Sequence, residues 1–202
     1  MRVYAGMTPA ERSEARRGRL VEAAIHLFAL DGFEGASVRA ICARASVSTR
    51  DFYLLFEDKE DLMVAVLELS YARHLEALAK GLVAVPADAD VPTRIAAAGR
   101  ATAEDLADHP LLARVAFVTS TGVSSKVEAC RDRMRREAIE MTLHSTTDLV
   151  GHGLIAAEDH RLAASSVVGA FEQLKRDWAV HPIPPDEFAA RLVTVLSRLL
   201  GS

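Results

Sequence analysis

Residues Leu20 to Leu62 read LVEAAIHLFALDGFEGASVRAICARASVSTRDFYLLFEDKEDL, and the reading of this stretch decides the fold. Leu20, Ala24, Leu27 and Phe28 recur at helical spacing and share one face. Asp31-Gly32 ends that helix, with Gly32 suited to the left-handed position just past the last turn. Ser37 caps a second helix whose inner face is Val38, Ile41, Cys42 and Ala45. Ser46-Val47-Ser48 is a turn. Ser48 caps a third helix, Thr49 to Phe56, with Asp51 at its third position. Asp58 caps a fourth helix, again with a carboxylate three residues on at Asp61.

A first bracing helix, a sharp turn and a third helix with short polar residues near its start form the layout of a helix-turn-helix. Val47, Phe52 and Phe56 are expected to face inward, against Ile41 and Leu27. Thr49, Arg50, Tyr53 and Leu54 then point out, where the edges of DNA bases can be reached. Each has a plainer alternative: Ser37 and Ser48 as caps only, Arg39 and Lys59 as solvated charges, Tyr53 as core. Asp51 reads as the capping partner of Ser48 rather than as a reader of bases.

Outward from this head, Thr8-Pro9-Ala10-Glu11 is a helix start with a capping box. The fourth helix is predicted from Lys59 to Ala84, with a loop at 85–90. Further helices are predicted at 92–108, 110–121, 124–152, 157–180 and 185–200, separated by His109-Pro110, Gly122, Gly151 to Gly153 and His181-Pro182 to Pro185. Hydrophobic residues make up 50% of the 202, rich in Ala and Leu, which favours an all-α fold. The expected organisation is a helix-turn-helix unit over 8–57 and a larger helical body over 58–202.

The formal net charge of -4 does not announce a nucleic-acid binder. Charge is local, however. Between positions 16 and 50, Arg16, Arg17, Arg19, Arg39, Arg44 and Arg50 outnumber Glu22, Asp31 and Glu34. Screening confines such fields to about 8–10 Å, so a basic head on an acidic body can still hold phosphate. Cys42 and Cys130 read as two buried thiols in a reducing compartment. No signal-like or membrane-length apolar run is present, and a cytoplasmic location is expected.

The phrases AAIHLFALDGFEGASVRAICARASVS, DFYLLF and DKEDL resemble the N-terminal domain of the TetR family of transcriptional regulators. The resemblance implies that Ser37 and the amides at the start of the second helix hold a phosphate. Arg39 would reach a phosphate or a guanine edge, and Ser48, Thr49 and Arg50 would read or flank bases. Tyr53 and Lys59 would meet phosphates. Two positions depart from the family pattern: Ser46 stands where glycine is usual, and Arg50-Asp51 where a small residue and threonine are common.

A single recognition helix covers few base pairs, and a two-fold dimer places two of them about 34 Å apart. The stripes Phe188, Leu192, Val195, Leu199 and Ala189, Val193, Leu196, Leu200 are wider than a surface helix needs. Gly169 lies in a small-residue run that permits close approach. The resemblance implies that the last two helices pair with a mate; the alternative is burial within one chain. It also implies an effector pocket in the body, with Tyr71, His74, Phe117, Met134, Met141, His144, Phe171 and Trp178 as candidates and a hydrophobic small molecule as ligand. The expected partners are double-stranded DNA, that effector and a second copy, without cofactor, metal or membrane. The expected function is an effector-released repressor at a palindromic operator; an activator, a corepressor-dependent regulator or a helical adaptor are the alternatives. Catalysis is not expected: Glu22–His26 and Glu140–His144 are spaced by four, not the three that a di-iron bundle needs.

Overall fold

Small polar residues just ahead of apolar runs set the helix starts. Thr8 closes a capping box, its hydroxyl accepting from the Glu11 amide at 3.2 Å while its own amide donates to the Glu11 carboxylate at 2.6 Å. This opens α1, Pro9–Gly35. Ser37, Ser48 and Asp58 accept in the same way at the starts of α2 (Val38–Ala45), α3 (Thr49–Leu55) and α4 (Lys59–Val83). Caps of this kind stabilise a helix by about 1 kcal/mol each. The computed structural model describes residues 8–86, 88–146 and 159–199.

Gly32 breaks α1 near its end, at φ 75° and ψ 173°, a conformation open in practice to glycine alone. The turn between α2 and α3 rests on Ser46 at φ 51° and ψ 46°, the only non-glycine residue with positive φ among those described. The departure at Ser46 therefore costs backbone strain.

Asp90 caps α5, Val91–Asp108. The helix expected over 110–121 is instead α6, Pro110–Arg114, running into a wider π-helical turn, Val115–Thr119. Its signature is the Ser120 amide donating to the Val115 carbonyl at 2.9 Å. Arg131 secures the turn by donating to the Ala116 carbonyl at 3.0 Å and the Ser120 hydroxyl at 2.8 Å. Then come α7 (Ser125–Ser145), α8 (His160–Val180) and α9 (Pro185–Leu199). The elements identified among the described residues are all helical, and no helix there is long and apolar enough to cross a membrane.

Among the described residues the buried side chains gather in two cores. The first does not stop at the head. Leu20, Phe28, Ile41, Phe52 and Phe56 join Leu62, Met63 and Val66 of α4, Leu112 and Val115 of α6 and its π turn, and Val127 of α7. The second gathers Ala103, Leu106, Ala113, Trp178 and Phe188. Glycines set the close crossings. A Cβ on Gly81 would stand 2.6 Å from the Ala97 carbonyl oxygen, and one on Gly99 would stand 2.9 Å from Leu192 Cδ2.

This corrects part of the interface reading. Phe188, Leu192 and Leu196 are buried within the single chain, with α9 laid along α5. The wide apolar stripe exists because α5 covers one side of it. Val193 is half-buried, Gly169 and Val195 face outward, and Leu200 lies outside the described residues.

Candidate nucleic-acid interface

The seven residues of α3 divide as their spacing requires. Phe52 is fully enclosed and stacks on Phe56 with ring centroids 5.7 Å apart, while Val47 is buried just ahead of the helix. Thr49 and Arg50 are exposed. Tyr53 is 58% exposed, its ring set edge-on against Phe52 at 5.1 Å. Leu54 is 73% exposed beside it. A rigid aromatic base thus presents a short polar edge.

Ser48 accepts from the Asp51 amide at 3.0 Å and donates to the Asp51 carboxylate at 2.8 Å. Asp51 is therefore the capping partner expected. Ser37 accepts from the Ala40 amide at 3.1 Å. The Thr49 hydroxyl is within hydrogen-bonding reach of the Cys42 thiol, which burial pushes up from its ordinary pKa. Arg39, Arg44 and Arg50 are all exposed, and none forms an ion pair among the described residues.

Other basic residues of the head serve the structure. Arg19 donates to the Ala45 carbonyl at 3.1 Å, and Arg17 lies 5.5 Å from the Phe56 ring centre. Lys59 donates to the Phe33 carbonyl at 2.6 Å and sits 4.2 Å from the Phe33 ring centre. It is a brace at the start of α4 before it is anything else.

Residues 20–66 match the family model of the bacterial regulatory proteins of the tetR family. That stretch spans the helix-turn-helix and the first turns of α4. Over this segment the chain is similar to the helix-turn-helix domain of tetR-family transcriptional regulators. Over 71 residues it is 34% identical to the HTH-type transcriptional repressor NicS of Pseudomonas putida, a match covering 35% of this chain and 34% of NicS. The whole fold resembles a tetR-family regulatory protein of Rhodococcus RHA1, with TM-score 0.68 and 25% identity over 92% of this chain and 96% of that one. It also resembles FadR of Bacillus subtilis, solved with stearoyl-CoA, with TM-score 0.75 and 18% identity over 89% and 96% of the two chains.

Polar contacts tie α6 to α1, and α7 with the turn before it to the start of α4. Arg114 donates to the Ala29 carbonyl of α1 at 3.0 Å. Ser124 donates to Glu60 at 2.8 Å. Lys126 lies 2.5 Å from Asp61 and 3.2 Å from Asp58. The Asp61 hydrogen bond leads in pushing the Lys126 pKa above its ordinary value. Burial would raise the Asp58 carboxyl, but the Asp61 amide and Lys126 together hold it below its usual range.

The eight effector candidates separate. Tyr71 and Met141 line an open groove of about 570 Å³ between α4 and α7, together with Leu75, Arg133, Arg136, Glu137 and Glu140. The Tyr71 hydroxyl is buried without a partner, and burial raises its pKa. Met134 packs against the first core, its sulfur 4.0 Å from that of Cys130. Trp178 is core, its indole donating to the Ile183 carbonyl at 3.0 Å. His144 is exposed near the end of α7. These three are therefore not brought into a common pocket.

His74, Phe117 and Phe171 do come together, around a residue the sequence reading passed over. Lys175 is 6% exposed, with its ammonium 5.0 Å from the Phe117 ring centre and 5.1 Å from that of Phe171. Burial brings its pKa down to about 8. The His74 ring packs at a tilt against Phe171, centroids 5.2 Å apart, and its Nδ1 is buried without a partner. Burial, and then the Lys175 charge, hold His74 well below its ordinary pKa. The signal was in the sequence: Ala164, Val168, Phe171, Lys175 and Trp178 follow one helical face, with a charge in an apolar slot.

Proposed function

We propose that this regulator is a dimeric, effector-responsive repressor acting in the cytoplasm on a palindromic operator. The observation that carries the reading is the division of α3, with Val47, Phe52 and Phe56 enclosed while Thr49, Arg50 and Tyr53 are exposed. Thr49 and Arg50 read base edges. Ser37 with the α2 amides, Tyr53 and the remaining donors of Lys59 hold phosphates, and Arg39 takes a phosphate or a guanine. Residues 8–57 form the reading unit and 58–202 the sensing and pairing unit. The mate is engaged through the outer faces of α8 and α9, where Leu162, Gly169, Val193 and Val195 lie.

The mechanism is a shift of population. A ligand that binds better when the two heads are splayed draws the chain away from DNA, by as much as its affinity differs between the states. Arg114, Ser124 and Lys126 are the bonds through which movement in the body reaches α1 and α4. The ligand is a small, largely hydrophobic molecule, and no catalytic step enters the mechanism.

Selection of bound fragments from a random DNA pool, followed by gel shift, tests the reading. Enrichment of a palindrome with a salt-sensitive band is expected. Recovery of no preferred sequence rules it out.

A further inference from the structure

We propose that the body binds an aromatic or aliphatic carboxylate, with Lys175 as the counter-charge for the acid group. Among the described residues no ion pair or hydrogen bond reaches the Lys175 ammonium. Glu172, its neighbour on α8, is engaged by Arg135 at 2.8 Å. A buried cation without a partner is costly to keep, and proteins normally pair such groups or replace them. Here the ammonium rests against the faces of Phe117 and Phe171. Ring faces attract a cation more weakly than an anion does, so they act as placeholders that an anion can displace.

The surroundings fit a two-oxygen acid on an apolar frame. His74 packs against Phe171 with its Nδ1 buried and unpartnered. Helices α4 and α5 run antiparallel, with Arg73 against Asp105 and Gly81 against Ala97. That register sets Thr102 level with the turn of α4 following His74, and its buried Oγ1 is also unpartnered. One cation and the unmatched His74 nitrogen amid aromatic rings suit a carboxylate. A phosphate or a nucleotide would call for several cations or a bidentate guanidinium. Phe117 stands on the π-helical turn. Such turns occur often at functional sites, and this one continues α6, whose Arg114 bonds α1. Insertion of an acid between Lys175 and Phe117 therefore presses on the element that contacts the head.

The inference rests on the effector-responsive reading, and the test is made without DNA so that the two stand or fall separately. Thermal midpoints of the full chain are measured with benzoate, 3-phenylpropionate and decanoate, each beside its primary amide. An acid at about 100 times its Kd raises the midpoint by roughly 5–10 °C for a chain of this size. The matching amide leaves it unmoved. Lys175→Met removes the response to the acid, and Lys175→Gln reads the same way should the Met variant not fold. Side-chain NMR of the unaltered chain provides a second readout: the Lys175 titration midpoint, about 8 without ligand, rises when the acid binds. Protection by amides as strong as by acids, an unchanged response in the variants, or no protection by any acid overturns the proposal. Specific DNA binding with no response to acids removes this inference alone. A response to acids with no specific DNA binding removes the operator reading alone.

Discussion

Replacing Lys175 by Met should make the unliganded protein more stable. The folded pKa is about 8 against an ordinary 10.5. At about 1.4 kcal/mol per unit, keeping the side chain protonated in the core costs roughly 3 kcal/mol at neutral pH. The two ring contacts return about 0.5–2 kcal/mol of that. A net gain of about 1–3 kcal/mol is expected for Lys175→Met, which has a similar stem and no charge. The sign with pH follows from proton counts. The folded pKa is the lower one, so between about 8 and 10.5 the unfolded chain holds more protons, and stability of the natural chain rises with pH in that window. The penalty is complete below pH 8 and fades toward 10.5, so the two proteins should converge as pH rises. Urea unfolding of both at pH 7 and pH 10 checks this, with equal m-values confirming the same unfolding event. Comparing the two chains cancels the other groups that titrate there. A Met variant less stable at pH 7, or a gap that does not narrow at pH 10, refutes the reasoning.

Ser46→Gly should stabilise the turn by about 0.5–1 kcal/mol, read as a higher thermal midpoint, because φ 51° strains any residue with a Cβ. Gly81→Ala should destabilise by about 1–3 kcal/mol in denaturant unfolding, because its Cβ meets the Ala97 carbonyl and α4 must move off α5. Arg39→Ala should relax preference at particular base pairs by about 1–3 kcal/mol, read by competition between operator variants. Lys59→Ala should weaken all sequences alike and lower the salt slope by about 1. It should also lower the thermal midpoint, because the Phe33 carbonyl and ring lose their cation.

The head was legible because its signals are local. Ser37, Ser48 and Asp58 cap within three residues, and the apolar spacing places Val47, Phe52 and Phe56 inside without knowledge of any distant element. Even the strain at Ser46 could be read from one residue type in one turn. In the body the deciding contacts are remote. The sequence shows that Phe188, Leu192 and Leu196 need cover, but not that α5 provides it, with Gly99 leaving room for Leu192. The π-helical turn has no pattern of its own, since its wider bonding is fixed by Arg131 from the next helix. Lys59 was read from its place at a helix start, whereas its partner Phe33 lies 26 positions earlier.

The way Leu62, Met63, Val66, Leu112 and Val115 close over Phe28 and Phe52 bears on engineering. A transplant of residues 8–57 onto a foreign sensor would leave the underside of the graft wet and poorly formed. A chimera that also carries the first three turns of α4 and the edge from Leu112 to Val115 would bring its own floor with it. Melting of the reading unit is likewise bound to melting of the tissue beneath, so whatever tightens that floor also steadies the hand laid on the duplex.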